Sequence, residues 1–273
     1  MPSDFTSIDY STLFCLFKGE AGCRKSTAAL SFPKPQYWFD YDHKMDALGI
    51  PFKAWDLNPS DIQYDKYSNW DRCLTQLEAF KLKCPYKTIV IDSITALADA
   101  INRQTLKIKG SAKADGGKRI AGIPVNSIED FNAEESALSE LIALLKDIKA
   151  YHHTNIILIG HVVQKSVKSS DGVTHIARTI VTAGKGIAQK IPAYCSETYH
   201  FNVKTGFTGN KGEYGLYTIH TGDDMARSSL PLEPHIVFNE DPLYDKWIKP
   251  AIDKMQGGKV TVPPGPPNPF LPK

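Results

Sequence analysis

The nine residues GEAGCRKST, from position 19 to 27, have the types and spacing of a loop that binds phosphate groups. Gly19, Lys25 and Ser26 match the pattern G-x-x-x-x-G-K-[ST], in which backbone N–H groups surround phosphate oxygens, the lysine contacts the β- and γ-phosphates and the hydroxyl binds Mg²⁺. Ser26 is therefore a candidate metal ligand. The candidate nucleotide-binding residues are Gly19, Glu20, Ala21, Gly22, Cys23, Arg24, Lys25, Ser26 and Thr27.

Position 24 of this loop carries arginine where the pattern has glycine. Glycine lets the backbone approach phosphate closely and adopt conformations that other residues avoid. Arg24 must therefore reach a permitted conformation or displace the loop, and Gly22 can supply part of the missing freedom. The guanidinium can also add a phosphate contact. The alternative is a chance glycine turn before a helix.

An apolar strand that ends in an acid, TIVIDS at 88–93, follows later in the chain. A buried strand of this kind delivers Asp92 to the carboxyl edge of a sheet beside the phosphate loop, where the carboxylate can hold Mg²⁺ through water. Such a strand is common by itself. Together with the loop, it predicts a site for a nucleotide and Mg²⁺, with Ser26 and Asp92 at the metal.

Buried strands alternate with segments of helical periodicity, which predicts an α/β fold with a mostly parallel central sheet and helices on both faces. Helical spacing of apolar residues marks 69–82 and 138–148. Segments 197–203 and 214–220 alternate around a glycine-rich turn and predict an antiparallel hairpin. The expected central strands are 12–17, 36–40, 87–92 and 155–161, with a further strand at 52–57.

The composition is that of a folded globular protein, with 42% hydrophobic and 23% charged residues among 273. We expect one domain over residues 1–255 and a flexible tail rich in proline and glycine over 256–273, with a partner-docking peptide as the alternative. A net charge of +2 is too small to indicate nucleic-acid binding by itself.

Five cysteines without a CxxC pair predict reduced thiols. The sequence has no apolar run of the length that crosses a bilayer, and its start lacks a basic segment followed by an apolar one. These features predict a cytoplasmic protein without a membrane partner.

Three segments, YWFDYDHKMDAL, TIVIDSITAL and NIILIGH, resemble successive elements of the RecA-like recombinase core. The chain resembles in particular the short, core-only RecA-like ATPases that phages encode for single-strand annealing and recombination. The resemblance spans about residues 12–227. It implies a RecA-like P-loop core that uses ATP and Mg²⁺.

The resemblance also implies roles for three further residues. Asp42 stands where the family has the acid that activates the attacking water; that acid is usually glutamate, and Asp40 is the alternative base. His161 stands at the position of a polar γ-phosphate sensor, although a histidine there can also be a core residue. Arg227 is the candidate for the finger that reaches a neighbouring subunit's γ-phosphate, with an exposed surface arginine as the alternative.

Two basic segments lie where the family has its DNA-binding loops, and we expect both to be mobile loops that contact backbone phosphates. A solvated surface is the alternative reading. The first segment, 102–122, carries one acid, Asp115, and the cations Arg103, Lys107, Lys109, Lys113, Lys118 and Arg119. The second segment, 162–186, carries Lys165, Lys168, Arg178 and Lys185 against Asp171.

The sequence therefore predicts a homo-oligomeric ring or filament that hydrolyses ATP with Mg²⁺, binds single-stranded DNA and promotes annealing or recombination. A single-strand DNA-binding protein is a further expected partner. One alternative is a DNA-annealing scaffold that binds ATP but hydrolyses it poorly, because of Arg24 and Asp42. The other is a P-loop regulatory NTPase or kinase without a role on DNA.

Overall fold

The computed structural model describes residues 11–112, 119–120, 123–124, 128–168, 174–182, 185–204, 212–221 and 224–257. Residues 258–273, nearly all of the expected tail, lie outside these ranges, so the flexible tail stays a prediction. No helix in the described ranges is long and apolar enough to span a membrane.

The described chain alternates strands and helices along most of its length. The helices are α1 (Lys25–Leu30), α2 (Gly49–Ala54), α3 (Trp70–Leu82), α4 (Ile94–Ala112), α5 (Ile128–His152), α6 (Lys185–Tyr194) and α7 (Lys249–Gly257). The strands are β1 (Phe14–Gly19), β2 (Gln36–Asp40), β3 (Ile62–Lys66), β4 (Thr88–Asp92), β5 (Arg119–Ile120), β6 (Ile123–Pro124), β7 (Asn155–Lys168), β8 (Thr174–Ile180), β9 (Glu197–Lys204), β10 (Glu213–Tyr217) and β11 (His235–Val237).

One mixed sheet forms the centre of the fold, in the order β11-β10-β9-β1-β7-β4-β2-β3, and β8 pairs with the extended end of β7. The contacts among β9, β1, β7, β4, β2 and β3 are all parallel, whereas β10 pairs antiparallel with both β9 and β11. The expected α/β class, the four central strands and the antiparallel hairpin of β9 and β10 are confirmed.

Alternating side chains of the central strands enter two hydrophobic cores, one on each face of the sheet. Leu16 and Ile91 join the core formed with α3, α4, α5 and α6. Phe17 and Val90 join the opposite core, which includes α1 and α7. Because both faces are covered, the central strands read as nearly continuous apolar runs. The predicted helices on both faces are confirmed.

The predicted strand at 52–57 is wrong, because this segment begins in helix α2. The strand that follows β2 is β3, which lies at the edge of the sheet and contains only half-buried and exposed residues. Its sequence, IQYDK, is too polar to resemble a buried strand. Asn58, which directly follows the predicted strand, accepts a hydrogen bond from the backbone N–H of Ser60 and begins a 3₁₀ turn.

The prediction of two mobile loops is also wrong for most of the described residues in those two segments. Helix α4 continues to Ala112, and the apolar stripe of Ile94, Leu97 and Ile101 packs its first half on the core. Beyond His161, β7 continues to Lys168 and forms a hairpin with β8. The candidate DNA-binding residues Lys107, Lys109, Arg119, Lys165, Lys168, Arg178 and Lys185 therefore lie in helices or strands, and Lys113 and Lys118 lie outside the described residues.

Candidate nucleotide site

Four parallel strands bring the sequence-predicted residues to one edge of the sheet. Gly19, the last residue of β1, lies in register with His161 on β7, and Asp40 at the end of β2 lies in register with Asp92 at the end of β4. A Cβ atom at Gly19 would lie 2.5 Å from the carbonyl oxygen of Phe201 on β9, so the close approach of that strand requires glycine here.

The Lys25 ammonium lies inside the loop that precedes α1. Its Nζ donates hydrogen bonds to the carbonyl oxygens of Gly19 at 2.9 Å and Glu20 at 2.7 Å. The side chain is buried, and this burial lowers the pKa of Lys25, although the charges of Asp92 and Asp42 act in the opposite direction. A positive charge is thus held within the loop, where phosphate groups are expected.

The Ser26 side chain contacts the Asp92 carboxylate at the end of β4. The Ser26 hydroxyl donates to the Asp92 Oδ2 at 2.6 Å. Burial raises the pKa of Asp92 to about 6, the Ser26 hydrogen bond opposes the rise, and the carboxylates of Asp42 and Asp40 add to it. A cation beside Asp92 would stabilise its ionised form. Hydroxyl and carboxylate oxygens are the ligands that Mg²⁺ prefers, so this pair fits the metal of a nucleotide complex.

Asp42 and His161, which the sequence predicts for separate roles, are in direct contact. The His161 Nε2 lies 3.0 Å from the Asp42 Oδ2, and the Ser93 hydroxyl donates to the Asp42 Oδ1 at 2.9 Å. Burial raises the pKa of Asp42. The hydrogen bonds from His161 and Ser93 and the charge of Lys44 have the larger combined effect and lower this pKa to about 2. The carboxylate is therefore ionised near neutral pH and accepts a proton poorly.

Asp40, the alternative base, has a structural role. It is buried, and its carboxylate accepts hydrogen bonds from the backbone N–H groups of Lys44 at 3.1 Å and Met45 at 3.4 Å. These contacts hold the turn that follows β2. Of the two candidate bases, Asp42 is the one that contacts another candidate site residue, His161.

Arg24 adopts the left-handed conformation, with φ 63° and ψ 27°, which explains why glycine is usual at this position. Its guanidinium does not point toward the phosphate loop. It lies 4.0 Å from the centre of the Tyr214 ring, and its Nη1 donates to the carbonyl oxygen of Asn239 at 2.7 Å. The expected phosphate contact is replaced by an anchor to the segment after β11.

Two other cations that the sequence singles out are engaged within the chain. The Arg227 guanidinium donates to the carbonyl oxygens of Ala193 and Cys195, at the end of α6. Arg178 forms an ion pair with Asp224. Each arginine thus has partners of its own in the described chain.

A mostly apolar cavity of about 270 Å³ borders the phosphate loop at Thr27. Its walls include Ile50, Pro51 and Trp55 from α2 and the residue after it, and the Trp55 Nε1 donates to the carbonyl oxygen of Glu240 at 3.0 Å. Sequence reasoning missed this cavity because α2 was expected to be a strand. Its size and position suit a heterocyclic base next to bound phosphates.

Residues 13–229 match the family model described as an AAA domain, a range that spans β1, the phosphate loop, Asp92 and His161. The chain matches no curated protein.

The raised pKa of Asp92 predicts that Asp92→Asn stabilises the ligand-free protein at pH 7.5. A carboxyl whose folded pKa of about 6 exceeds its unfolded value binds protons more tightly when folded, so its contribution to stability is lost as pH rises from about 4 to about 6. The variant should gain on the order of 3 kcal/mol in unfolding free energy at pH 7.5 and nothing at pH 4.

Urea unfolding at both pH values measures this difference. Asp253→Asn removes an exposed carboxylate of α7 and should change the unfolding free energy by less than about 0.5 kcal/mol. A ligand-free Asp92→Asn protein that is less stable than the wild type at pH 7.5 would show that the carboxylate contributes to folding.

Proposed function

Because the chain belongs to the AAA domain family and carries a P-loop ATPase domain, we propose that it is a Mg²⁺-dependent ATPase that binds single-stranded DNA and promotes annealing or recombination. One observation carries the catalytic part of the proposal. Lys25, the Ser26–Asp92 pair and the Asp42–His161 pair meet at the same edge of the sheet.

Each of these residues has a distinct task in this proposal. Lys25 exchanges its carbonyl partners for phosphate oxygens, and Ser26 and Asp92 hold the metal. The ion held by Ser26 and Asp92 would supply positive charge to offset the negative charge that develops on the transferred phosphoryl group. The cavity lined by Trp55 receives the base, and the family resemblance favours adenine.

Asp42 orients the attacking water. Its carboxylate is ionised and is fixed by Ser93 and His161, so its direction is set before the nucleotide binds. A change in the contacts of His161 moves Asp42 directly, because the two side chains share a hydrogen bond. His161 can therefore report the state of the nucleotide to the β7–β8 hairpin, which begins at the next residue.

The pKa of Asp42, about 2, also supports a second candidate function. A carboxylate that accepts protons so poorly favours slow hydrolysis. The protein would then bind ATP as a switch for assembly on DNA and release it slowly. Both candidates share the nucleotide site and differ in turnover.

The DNA part of the proposal rests on the resemblance to the recombinase core and on exposed cations. Arg103 and Lys107 are exposed on α4, the helix that directly follows Asp92 and Ser93. We propose a homo-oligomeric ring or filament, as the resemblance implies, with a single-strand DNA-binding protein as a further partner. The cytoplasm of a phage-infected bacterium is the proposed location.

Lys25→Ala should weaken ATP binding at least about 10-fold, which corresponds to about 1.4 kcal/mol, because it removes the buried charge beside the phosphates. Isothermal titration with ATP and Mg²⁺ measures the effect. Lys83→Ala is the control, since Lys83 is exposed before β4, at the opposite edge of the sheet. Equal affinities of Lys25→Ala and the wild type would refute the assignment of the loop.

Asp42→Asn should keep ATP affinity within about threefold and slow turnover at least about 100-fold, because it removes the negative charge that orients water. Single-turnover hydrolysis and equilibrium binding, measured on the same preparation, separate the two effects. Asp253→Asn provides the matched control. Unchanged turnover in the Asp42 variant would transfer the water-orienting role to another group.

ATP turnover with and without an oligothymidylate tests the ATPase and DNA-binding parts of the proposal. Stimulation by DNA supports the DNA-dependent ATPase. Binding of both ATP and DNA with negligible turnover supports the assembly switch. A turnover rate that DNA does not change, together with no DNA binding, would support a P-loop NTPase without a role on DNA.

A further inference from the structure

A cavity of about 760 Å³ lies against Asp42, apart from the cavity beside Thr27. Its walls come from the segment after β2, from the turn between β3 and α3, and from one face of α4. The residues that matter for its chemistry are Asp42, Ser68, Asp71, Arg103, Gln104 and Lys107. This volume lies within the range of cavities that hold ligands of nucleotide size.

The cations of this cavity lie together on α4. Arg103 and Lys107 are four residues apart on the helix, so their side chains occupy one face, and both are exposed. Within the described ranges Arg103 has no carboxylate partner at ion-pair distance. Two acids also line the cavity, but Asp42 already receives hydrogen bonds from Ser93 and Lys44. Arg103 therefore offers a positive charge to an anion on the α4 side of the cavity.

The lining favours a phosphodiester over a stacked base. Tyr41 and Tyr67 border the cavity, but both are buried, and the Arg72 guanidinium lies 4.9 Å from the centre of the Tyr67 ring. An arginine fork and a lysine bind phosphate oxygens without reading the base. The chemistry is that of a sequence-independent contact with a nucleic-acid backbone.

Hydrogen bonds also connect α4 to Asp42 and His161. The Ser93 Oγ donates to the Asp42 Oδ1 and accepts from the backbone N–H of Ala96, in the first turn of α4, at 3.2 Å. The backbone N–H of His161 donates to the hydroxyl of Thr95, one residue before, at 3.1 Å. A ligand that displaces α4 would therefore move both members of the Asp42–His161 pair.

We propose that this cavity binds the phosphodiester backbone of single-stranded DNA, with Arg103 and Lys107 as the phosphate contacts and α4 as the link to Asp42. The inference rests on the proposed DNA-binding function and assigns that function a surface. It replaces the expected mobile loop with one face of helix α4, beside the proposed water-orienting acid.

Fluorescence anisotropy with a labelled oligothymidylate at graded salt concentrations tests the proposal. Each phosphate contact contributes about 0.7 to the log-log salt slope, so Arg103→Gln with Lys107→Gln should flatten the slope by about 1.4 and weaken binding about 25-fold at 0.1 M salt. Lys249→Gln with Lys254→Gln, which removes two exposed cations from α7, should keep the wild-type slope.

A second pair of variants tests the cavity itself. Ser68→Glu places a carboxylate in the cavity opposite α4, whereas Ser68→Gln adds nearly the same volume without charge. The glutamate variant should bind DNA at least about fivefold more weakly at 0.1 M salt, the equivalent of one lost contact, and the glutamine variant should resemble the wild type. Thermal unfolding of every variant verifies the fold.

The outcomes distinguish this inference from the function on which it rests. If the wild type binds DNA and the α4 and Ser68→Glu variants bind with the same affinity and slope, DNA lies on another surface and the inference is overturned. If the wild type binds no DNA, both the inference and the DNA part of the proposed function fail. Loss of binding in the α7 control as well would show a nonspecific charge effect and would also overturn the assignment to the cavity.

Discussion

The parallel register of β1, β7, β4 and β2 is the constraint on which the nucleotide site depends. It places Gly19 beside His161 and Asp40 beside Asp92 at one edge of the sheet. The register is fixed because both faces of these strands are buried, and a shift of one residue would exchange the side chains between the two cores. Packing in the sheet interior therefore sets the positions of polar groups at its edge.

The same packing disfavours the charged forms of two side chains in the site. Burial lowers the pKa of Lys25 and raises the pKa of Asp92, so it disfavours the charged form of each. A polyphosphate beside the lysine and a divalent cation beside the carboxylate would each restore the charge that burial disfavours. Nucleotide and metal should therefore stabilise the folded protein by mass action. Apolar burial in the two cores offsets the free-energy cost of burying these two side chains.

Sequence patterns predicted the sheet centre, the phosphate loop and the placement of Asp92, because those features depend on buried strands and on a short local motif. They failed for β3, because an edge strand requires few apolar residues. They also failed after Asp92 and His161, where glycine and lysine residues predicted loops but the structure has a helix and a hairpin. The contact of Asp42 with His161 and the anchor of Arg24 on Tyr214 join residues far apart in sequence. Local periodicity contains no signal for such pairs.

β1 lies between β7 and β9, although it precedes both in the chain. Cys15 pairs in register with Ile157 on one side and with Glu197 on the other. At a synthesis rate of about 5 to 20 residues per second, the interval between the synthesis of β1 and the completion of β9 is on the order of 10 to 40 s. β7 can cover one side of β1 as soon as it is made, but the side that pairs with β9 stays unpaired for the whole interval. The nascent protein therefore carries an apolar strand with an open edge, which is a site for association with other chains.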